Sequence, residues 1–565
     1  MPSDLEIAQA AKLRPIVEVA DQIGIAPQEL DLYGNHKAKV HLELLQRLQD
    51  RPLGKYILVT AITPTPFGEG KTVVTIGLGQ ALNKAARRAI VCLREPSMGP
   101  VFGIKGGATG GGRAQVLPKE DIDLHFTGDM HATAAANNLL AAMADASLWH
   151  DNPLNLDPLS ITCRRVVDCN DVALRSIVTG LGGARGGVPR ETGFDMAASS
   201  EVLAALALCS GLADLRARLG RMLVGYTRQG QPVTADDLGA AGAMTVLLKE
   251  AIKPNLVQTL EGGPCFVHCG PFGNIAHGSS SVLADQMALR LSEYVVTEAG
   301  FGADCGAEKL CNIKCRQSGL KPDAAVLVAS VRALKMHGGA YDARPGRKLP
   351  EDEIARENPE AVVEGCRNLG KHIENLKLFG LPVLVAINRF PADHQSELEA
   401  VRAQALELGA RQACVVECYD EGGEGGLELA EAVVEAANEP SQFRFLYDQQ
   451  APIKQKIETI ATRIYGAEGV KYEPAAEKKI AAYEAQGWGK LPICMAKTQY
   501  SLSHDPELKN RPTGFTVPVL DIRAALAAGF LYPVLGQIMT MPALPSRPAA
   551  QGIDIDEQGR TVGLF

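Results

Sequence analysis

Apolar residues near the amino end of the chain recur with two different spacings. The run KYILVTAIT at 55–63 is rich in β-branched residues and predicts a strand, whereas KTVVTIGLGQALNKAARRA at 71–89 has apolar residues at helical spacing. A second apolar run, IVCLRE at 90–95, predicts another strand. The pattern therefore predicts a βαβ unit with a ten-residue polar loop before its helix.

Four later apolar runs extend this pattern to a larger parallel sheet. They are PCFVHCG (264–270), YVVTEAG (294–300), AAVLVAS (324–330) and PVLVAIN (382–388), and each stops at glycine or at polar residues. Ligands of open parallel sheets bind beyond the carboxyl ends of the strands, so we expect a site where these runs end. The predicted fold class is α/β and multi-domain, with a large parallel-sheet nucleotide domain and two smaller α/β domains.

The chain has 565 residues, which is too long for one compact core and suggests two to four domains. Prolines and charges cluster at 341–358, and a second break lies near 438–443. We therefore predict three units, 1–350, 351–445 and 446–565.

The composition of the chain excludes some classes of binding partner. A net charge of −8 and a pI near 5.9 argue against nucleic acid or an anionic membrane, because both favour a basic protein face. The 13 cysteines are scattered and match neither zinc nor iron–sulfur spacing. The first twenty residues are acidic and lack a signal-peptide pattern, and no unbroken apolar segment could span a membrane. We expect a cytoplasmic protein that acts on small molecules.

The loop TPTPFGEGKT at 63–72 carries the strongest chemical signal. The phosphate-loop pattern G-x-x-x-x-G-K-[ST] matches residues 65–72 except at its first position, where a threonine replaces glycine. Glycines let backbone N–H groups approach phosphate, the lysine supplies charge, and the last hydroxyl suits Mg²⁺. The predicted ATP-binding residues are Thr65, Pro66, Phe67, Gly68, Glu69, Gly70, Lys71 and Thr72.

Residues 93–129 follow the second predicted strand and are unusually rich in glycine. Arg94 at the strand end could clamp a small carboxylate or an acyl phosphate, or could form a structural ion pair with an acid. The glycine run 106–112, with Lys105 beside it, could form an anion-binding nest or a flap. For Mg²⁺ we predict Thr72 with Glu95, although Asp129, Glu298 and Asp304 are alternatives that spacing does not separate.

With these residues, the chain resembles the formate–tetrahydrofolate ligase family over nearly its whole length. The resemblance implies the monofunctional bacterial type. The motifs that carry it are TPTPFGEGKT, in which threonine at the first position is usual for the family, REPSMGP, EDIDLHFTGD, GPFGNIAHG, TEAGFGAD, VRALKMHGG, INRFPAD, GGEGGLELA, AKTQYSLS and IMTMPALP.

This resemblance implies ATP-dependent ligation of formate to N10 of tetrahydrofolate through formyl phosphate, giving 10-formyltetrahydrofolate, ADP and phosphate. It implies that Lys71 stabilises the transferring phosphoryl group and that Arg94 holds formyl phosphate. It places these steps in 1–350 and the folate site in 351–445. It further implies Mg²⁺, a monovalent cation (K⁺ or NH₄⁺) and a homotetramer.

On the folate side, Phe390 and Pro391 match the family's platform for the pterin ring. Tyr419 stands where a family member has tryptophan, so a looser clamp is expected. Arg113 and Lys119 make the glycine-rich segment more basic than usual, which suggests tighter binding of the polyglutamate tail. His268 is a candidate proton acceptor, with a buried structural histidine as the alternative.

Two other functions compete with the ligase interpretation. A nucleotide-driven switch or partitioning ATPase would explain the 63–72 loop and Asn388, because an Asn-Arg pair at a strand end often recognises a base in phosphate-loop folds. A small-carboxylate kinase would stop at the acyl phosphate. Product formation from formate, ATP and tetrahydrofolate separates the three.

Overall fold

The structure is a computed structural model that describes residues 2–103, 109–342 and 349–564. Part of the predicted anion nest, Lys105, Gly106, Gly107 and Ala108, lies outside the described residues. Gly110 and Gly111, from the same run, form a short strand that pairs with Ala114 and Gln115.

The strands of the described residues are numbered in chain order. They are β1 (Leu30–Leu32), β2 (Ala38–Val40), β3 (Lys55–Ala61), β4 (Ala89–Leu93), β5 (Gly110–Gly111), β6 (Ala114–Leu117), β7 (Arg165–Val167), β8 (Ile177–Thr179), β9 (Arg190–Thr192), β10 (Phe194–Met196), β11 (Leu223–Tyr226), β12 (Pro232–Thr234), β13 (Asn255–Thr259), β14 (Pro264–Val267), β15 (Tyr294–Gly302), β16 (Ala324–Ala329), β17 (Val383–Asn388), β18 (Gln412–Val416), β19 (Gly469–Tyr472), β20 (Thr516–Val519), β21 (Asp521–Ala525), β22 (Phe530–Val534), β23 (Asp554–Ile555) and β24 (Thr561–Val562).

The α-helices of the same residues follow the same order. They are α1 (Asp4–Ala10), α2 (Ile16–Gln22), α3 (Glu43–Arg47), α4 (Lys71–Lys84), α5 (Met98–Gly103), α6 (Lys119–Asp123), α7 (Asp129–Trp149), α8 (Glu201–Leu208), α9 (Leu212–Gly220), α10 (Ala241–Leu247), α11 (Val282–Leu291), α12 (Arg316–Ser318), α13 (Val331–His337), α14 (Glu351–Ala355), α15 (Pro359–Leu378), α16 (Gln395–Glu407), α17 (Cys418–Glu421), α18 (Leu427–Ala437), α19 (Ile453–Ile460) and α20 (Pro474–Ala485). Turns of π-helix lie at Ala303–Ala307, Leu310–Cys315 and Ala461–Tyr465.

One large sheet organises the chain, which confirms the predicted α/β class. Its parallel part has the order β14-β4-β15-β3-β16-β17-β18. The antiparallel strands β13, β2 and β1 continue it beyond β14, and β6 with β5 branches from β13. Because the parallel strands point the same way, their carboxyl ends share one edge with the 63–72 loop.

Both faces of the parallel strands are covered, which explains their continuous apolar runs. In β3, Ile57 and Val59 pack with α4 and α18 on one face. Leu58 packs on the opposite face, in the layer that contains α13 and α15. Successive side chains of β3 therefore point to opposite faces of the sheet and pack into two different apolar layers.

The order of the strands in the sheet differs from what the sequence suggested in two respects. The strand β15 lies between β3 and β4, so the two strands of the predicted βαβ unit are not hydrogen-bonded neighbours. In addition, β17 and β18 continue the sheet from β16, so it crosses the boundary predicted at 350/351. The helices α7 to α10 form a separate apolar cluster between β6 and β13, an insertion that the sequence pattern did not predict.

The chain after 446 builds smaller sheets of its own. β19 pairs with β20 in parallel, and β21 pairs with β22 in antiparallel orientation. The carboxyl-terminal residues nevertheless share the apolar layer of α13 and α15, so this unit packs directly on the large sheet. Among the described residues, none of the helices combines the length and apolar character that crossing a membrane requires.

Candidate active site

The 63–72 loop leaves β3 and enters α4 at the carboxyl edge of the sheet. Gly68 has φ +71° and Gly70 has φ +78°, values in the left-handed region that glycine adopts at no steric cost. A Cβ at Gly70 would lie 2.1 Å from Asn388 Nδ2. Asn388 Nδ2 donates to the Glu69 carbonyl oxygen at 3.1 Å. The Asn388 amide therefore supports the loop in this structure.

Thr65 takes the position of the first glycine of the phosphate-loop pattern. Its side chain is buried, and both its backbone N–H and its hydroxyl donate to Glu69 Oε1, at 2.7 and 2.9 Å. Of the residues 63–72, all described, only the two glycines at 68 and 70 have positive φ. A threonine is therefore compatible with the loop, and its hydroxyl ties the start of the loop to the loop's own glutamate.

Glu298 joins the loop to the strand end that carries Arg94. It lies in β15, between β3 and β4, and is fully buried. Thr72 Oγ1 donates to Glu298 Oε2 at 2.8 Å, and Arg94 Nε donates to Glu298 Oε1 at 3.3 Å. A Cβ at Gly300 would lie 2.9 Å from Arg94 Nη1, so the adjacent glycine leaves room for the guanidinium. We call Thr72, Arg94 and Glu298 the Glu298 cluster.

The carboxylate bound to Thr72 in the structure is not the Glu95 of the predicted metal pair. The carboxylate beside the Thr72 hydroxyl belongs to Glu298. Glu95 is buried, and the pKa of its carboxyl is well above the ordinary value because of burial and the neighbouring Asp129 carboxylate. Asp129 in turn binds Lys39 at 2.7 Å. Thr72 with Glu298 supplies a hydroxyl and a carboxylate, both of which are oxygen ligands of the kind that Mg²⁺ prefers.

His268 occupies a structural position in this conformation. Its Nε2 lies 2.8 Å from the Ala251 carbonyl oxygen and therefore carries the proton, because a carbonyl can only accept. Its Nδ1 accepts from the Ser281 hydroxyl at 2.7 Å, and that Ser281 caps helix α11. The ring is fully buried, and burial lowers its pKa to about 4. Neither ring nitrogen is available to a substrate in this arrangement.

The environment of His268 predicts a pH-dependent contribution to stability. A histidine whose pKa is depressed in the folded state stabilises the fold fully above about pH 6.5, and this contribution is lost as pH falls towards 4. The destabilisation caused by His268→Gln should therefore shrink by about 1.4 kcal/mol per pH unit within that window. Melting temperatures of both proteins at pH 7.5 and 5.5 measure this change. The exposed His131→Gln is the control, and a difference that stays constant with pH would contradict the assignment.

His277 is a second buried histidine near the Glu298 cluster. Neither of its ring nitrogens has a hydrogen-bond partner among the described residues. Burial and the positive charges of Lys314, Arg218, Arg94 and Lys309 hold its pKa well below the ordinary value. The side chain is therefore a neutral imidazole at an electropositive position.

Comparison with known proteins decides between the interpretations left open by the sequence. A family model described as formate–tetrahydrofolate ligase matches residues 2–565. The chain belongs to the formate–tetrahydrofolate ligase family. Proteins with this name from Desulforamulus reducens and Saccharopolyspora erythraea are each 58% identical to it, over 565 and 564 residues and 100% of both chains. The ligase of Roseiflexus sp. (strain RS-1) is 57% identical over 564 residues, again 100% of both chains.

As a member of the formate–tetrahydrofolate ligase family, the chain is an enzyme. Its folate-platform candidates lie at the ends of two neighbouring strands. Phe390 is half-buried and follows β17, and its backbone N–H donates to Asp393 Oδ2 at 2.8 Å. Pro391 is exposed beside it. Tyr419 follows β18, is 41% exposed, and donates its hydroxyl to Asp4 Oδ1 at 2.7 Å.

Lys119 and Arg113, the two basic residues at which this chain is expected to differ from other members of the ligase family, have different surroundings. Lys119 is buried, where its ammonium donates to the Thr109 hydroxyl at 2.7 Å and lies 3.3 Å from Asp123 Oδ2. Its charge is therefore engaged inside the protein, which argues against a role in binding the polyglutamate tail. Arg113 is exposed next to Tyr419, whose carbonyl accepts from the Arg113 N–H at 2.7 Å.

Other residues at this ligase-family site had weak or no sequence signals. Glu298 was one of several acidic residues that the sequence offered as a Mg²⁺ ligand. The sequence did not show that β15, which carries Glu298, lies beside β3. Asp4 lies far from Tyr419 in sequence, so only the fold brings them together. The described residues contain no group of three or more histidine, cysteine or acidic side chains able to hold a metal. The described part of the chain includes all 13 cysteines, and each is free.

Proposed function

We propose that the protein ligates formate to N10 of tetrahydrofolate at the expense of ATP, through formyl phosphate. The carrying observation is the Glu298 cluster, in which one buried carboxylate binds both Thr72 of the loop and Arg94 of the adjacent strand end. This supports a site where the ATP γ-phosphate and a small carboxylate meet. Family membership supports the substrates themselves.

In the first step, a formate oxygen attacks the γ-phosphorus and the bond to the ADP oxygen breaks. The backbone N–H groups of the loop and Lys71 stabilise the charge on the transferring group. Arg94 leaves Glu298 and pairs with the oxygens of formyl phosphate, because a guanidinium matches such an anion with two parallel donors. Phosphate is a good leaving group, so the acyl carbon becomes open to attack.

The residues present fit Mg²⁺, which binds ATP-dependent enzymes through one or two protein ligands, phosphate oxygens and water. Thr72 Oγ1 and Glu298 would hold it, and the ion would neutralise charge on the β- and γ-phosphates. For K⁺ or NH₄⁺, Glu95 offers a buried Oε2 that has no hydrogen-bond partner among the described residues.

In the second step, N10 of tetrahydrofolate attacks the formyl carbon, the carbon–oxygen bond to phosphate breaks, and N10 loses its proton. We assign Phe390 and Pro391 to one side of the pterin ring and Tyr419 to the other. We assign no role in this step to His268, because both of its ring nitrogens bind protein groups in this conformation. The ends of β17 and β18 support this arrangement because Asn388 pairs with Val416, just before the two aromatic residues.

Tyr419→Trp is expected to lower the KM for tetrahydrofolate about threefold, because a larger ring adds stacking area. The kcat and the KM for ATP should change little. The matched control is Tyr419→Phe, which keeps the ring size and removes the hydrogen bond to Asp4. Steady-state kinetics with tetrahydrofolate as the varied substrate measures this, and an unchanged KM in the tryptophan variant would remove Tyr419 from the clamp.

The test of the function is product formation with formate labelled with ¹⁸O. The expected result is 10-formyltetrahydrofolate together with inorganic phosphate that carries one ¹⁸O atom from formate. A nucleotide switch would hydrolyse ATP without regard to formate or folate. A small-carboxylate kinase would release ADP with formate alone at the full rate. Either outcome would exclude the ligase proposal.

We also propose a homotetramer in the cytoplasm. Exposed apolar side chains support contact with a second copy, since Val178 and Leu181 in the β8–β9 hairpin are 56% and 68% exposed and Leu159 is 90% exposed. The absence of disulfides among the cysteines supports a reducing compartment. Light scattering should give about four times the 60.0 kDa chain mass, and a monomer would contradict the assembly.

A further inference from the structure

Arg332 contacts the 63–72 loop from the strand next to β3. It lies in the first turn of α13, directly after β16. Its Nη2 donates to the carbonyl oxygens of Phe67 at 3.0 Å and Gly68 at 3.1 Å. The 63–72 loop is the predicted nucleotide loop, so a half-buried guanidinium holds its backbone through two successive carbonyl groups.

The same guanidinium also contacts the ring that we assign to the folate site. The Arg332 Cζ atom lies 3.5 Å from the centroid of the Phe390 ring. This is a close cation–π contact, because such pairs are counted as interacting out to about 6 Å. One side chain therefore contacts both the loop at the end of β3 and the aromatic residue that follows β17.

Asn388 completes the support of the loop carbonyls. It binds the carbonyl of Glu69, the residue that follows the two carbonyls held by Arg332. Three successive carbonyls of the loop are thus fixed by side chains from β16–α13 and β17. Since a peptide carbonyl and the following N–H point in opposite directions, holding the Gly68 and Glu69 carbonyls also orients the N–H groups of Glu69 and Gly70. The Gly68 N–H donates within the loop, to the Thr65 carbonyl oxygen at 3.2 Å.

We propose that Arg332 is a positioning residue that couples the nucleotide loop to the folate platform, so that the binding of ATP and of tetrahydrofolate reinforce each other. The inference rests on the proposed function and adds a coupling between its two substrate sites. A pterin ring that packs on Phe390 restricts the ring, the ring restricts the guanidinium, and the guanidinium restricts the loop carbonyls.

The Arg332 guanidinium is a charged group that is partly shielded from water. Burial lowers its pKa, and the negative charges of Glu69 and Asp393 oppose that change. An arginine remains protonated under such conditions because its ordinary pKa lies far above neutral pH. Its hydrogen bonds to the loop are therefore charge-assisted and stronger than those between neutral groups.

The first experiment measures ATP binding by calorimetry, without turnover. Arg332→Ala should raise the Kd for ATP about tenfold or more, because charge-assisted hydrogen bonds to two carbonyls are lost. Arg332→Lys should give an intermediate value, since an ammonium keeps the charge and loses the planar stack. Arg367→Ala is the matched control, because Arg367 is 56% exposed on α15 and pairs only with Glu364 among the described residues.

The second experiment tests the coupling with a double-mutant cycle. Phe390→Leu removes the ring and should raise the Kd for ATP about threefold in the wild-type background, although Phe390 has no proposed contact with the nucleotide. In the Arg332→Ala background the same change should leave the Kd for ATP unaltered. Tetrahydrofolate should tighten ATP binding in the wild type and lose that effect in Arg332→Ala and Arg332→Lys.

The outcomes separate this inference from the proposed function. If the wild-type protein forms no formylated folate, the function is wrong, whatever the variants show. If it forms the product while Phe390→Leu changes ATP affinity equally in both backgrounds, or while Arg332→Lys retains full mutual enhancement, the coupling is wrong. Melting temperatures identify a misfolded Arg332→Ala, in which case Arg332→Lys decides the result.

Discussion

Arg94→Ala is expected to lower kcat for formyl transfer by about 10²- to 10³-fold, the loss found when one charge-stabilising donor is removed from an active site. The guanidinium lies on Glu298, beside the loop hydroxyl of Thr72, and it is the positive group at the end of β4. Alanine leaves the formyl phosphate oxygens without their bidentate partner. The Kd for ATP should change much less, because the loop N–H groups and Lys71 remain.

Two further variants make this result specific. Arg94→Lys keeps a positive charge but not the planar fork, so kcat should fall between those of the wild type and alanine variants. Arg88→Ala is the matched control, because Arg88 precedes the same strand at its amino end and its side chain is 73% exposed. Full formyl transfer by a folded Arg94→Ala protein would show that the residue has no part in the reaction.

Glu298→Gln is expected to lower kcat about 10²-fold and to raise the Mg²⁺ concentration needed for half-maximal rate. Glutamine has nearly the same shape, and its amide oxygen can still accept from Arg94 while the negative charge disappears. The Thr72 hydroxyl would then accept from the amide NH₂ group. A weakened metal site predicts partial recovery at high Mg²⁺ concentration.

The control for this variant is Glu293→Gln, one residue before β15 at the other edge of the sheet, where the carboxylate is 46% exposed. It should have wild-type kinetics at every Mg²⁺ concentration. If Glu298→Gln lowers kcat without changing the Mg²⁺ dependence, Glu298 positions Arg94 and does not bind the metal. An unchanged kcat would exclude both roles.

The sequence predicted the elements of this site better than their arrangement. The run at 55–63 and the helix after it were recognisable because their periods of two and 3.6 residues are local properties. The position of β15 between β3 and β4 was not recognisable, because sheet order depends on contacts between distant residues. Glu298 therefore remained one acid among several, and Glu95 was chosen because it is adjacent to Arg94 in sequence.

The roles of the histidines and the residues that hold the 63–72 loop were also hard to predict, because they depend on partners that are distant in sequence. His268 ends an apolar run at the favourable edge of the sheet, which suggested a proton acceptor. Only the fold brings Ser281 and the Ala251 carbonyl to its two ring nitrogens. Likewise, Arg332 is 265 residues from Phe67, and no spacing rule connects them. The type of a residue can be read directly from the sequence, whereas the groups that it contacts depend on the fold.

The most direct test of the account is a crystal structure with formate and a non-hydrolysable ATP analogue. The account predicts the γ-phosphate at the N–H groups of residues 69–72, with the Arg94 guanidinium about 3 Å from a γ-phosphate or formate oxygen. Formate should lie between them, in line with the bond to be broken. A nucleotide bound in the loop with its γ-phosphate beyond the reach of the Arg94 side chain would contradict the account.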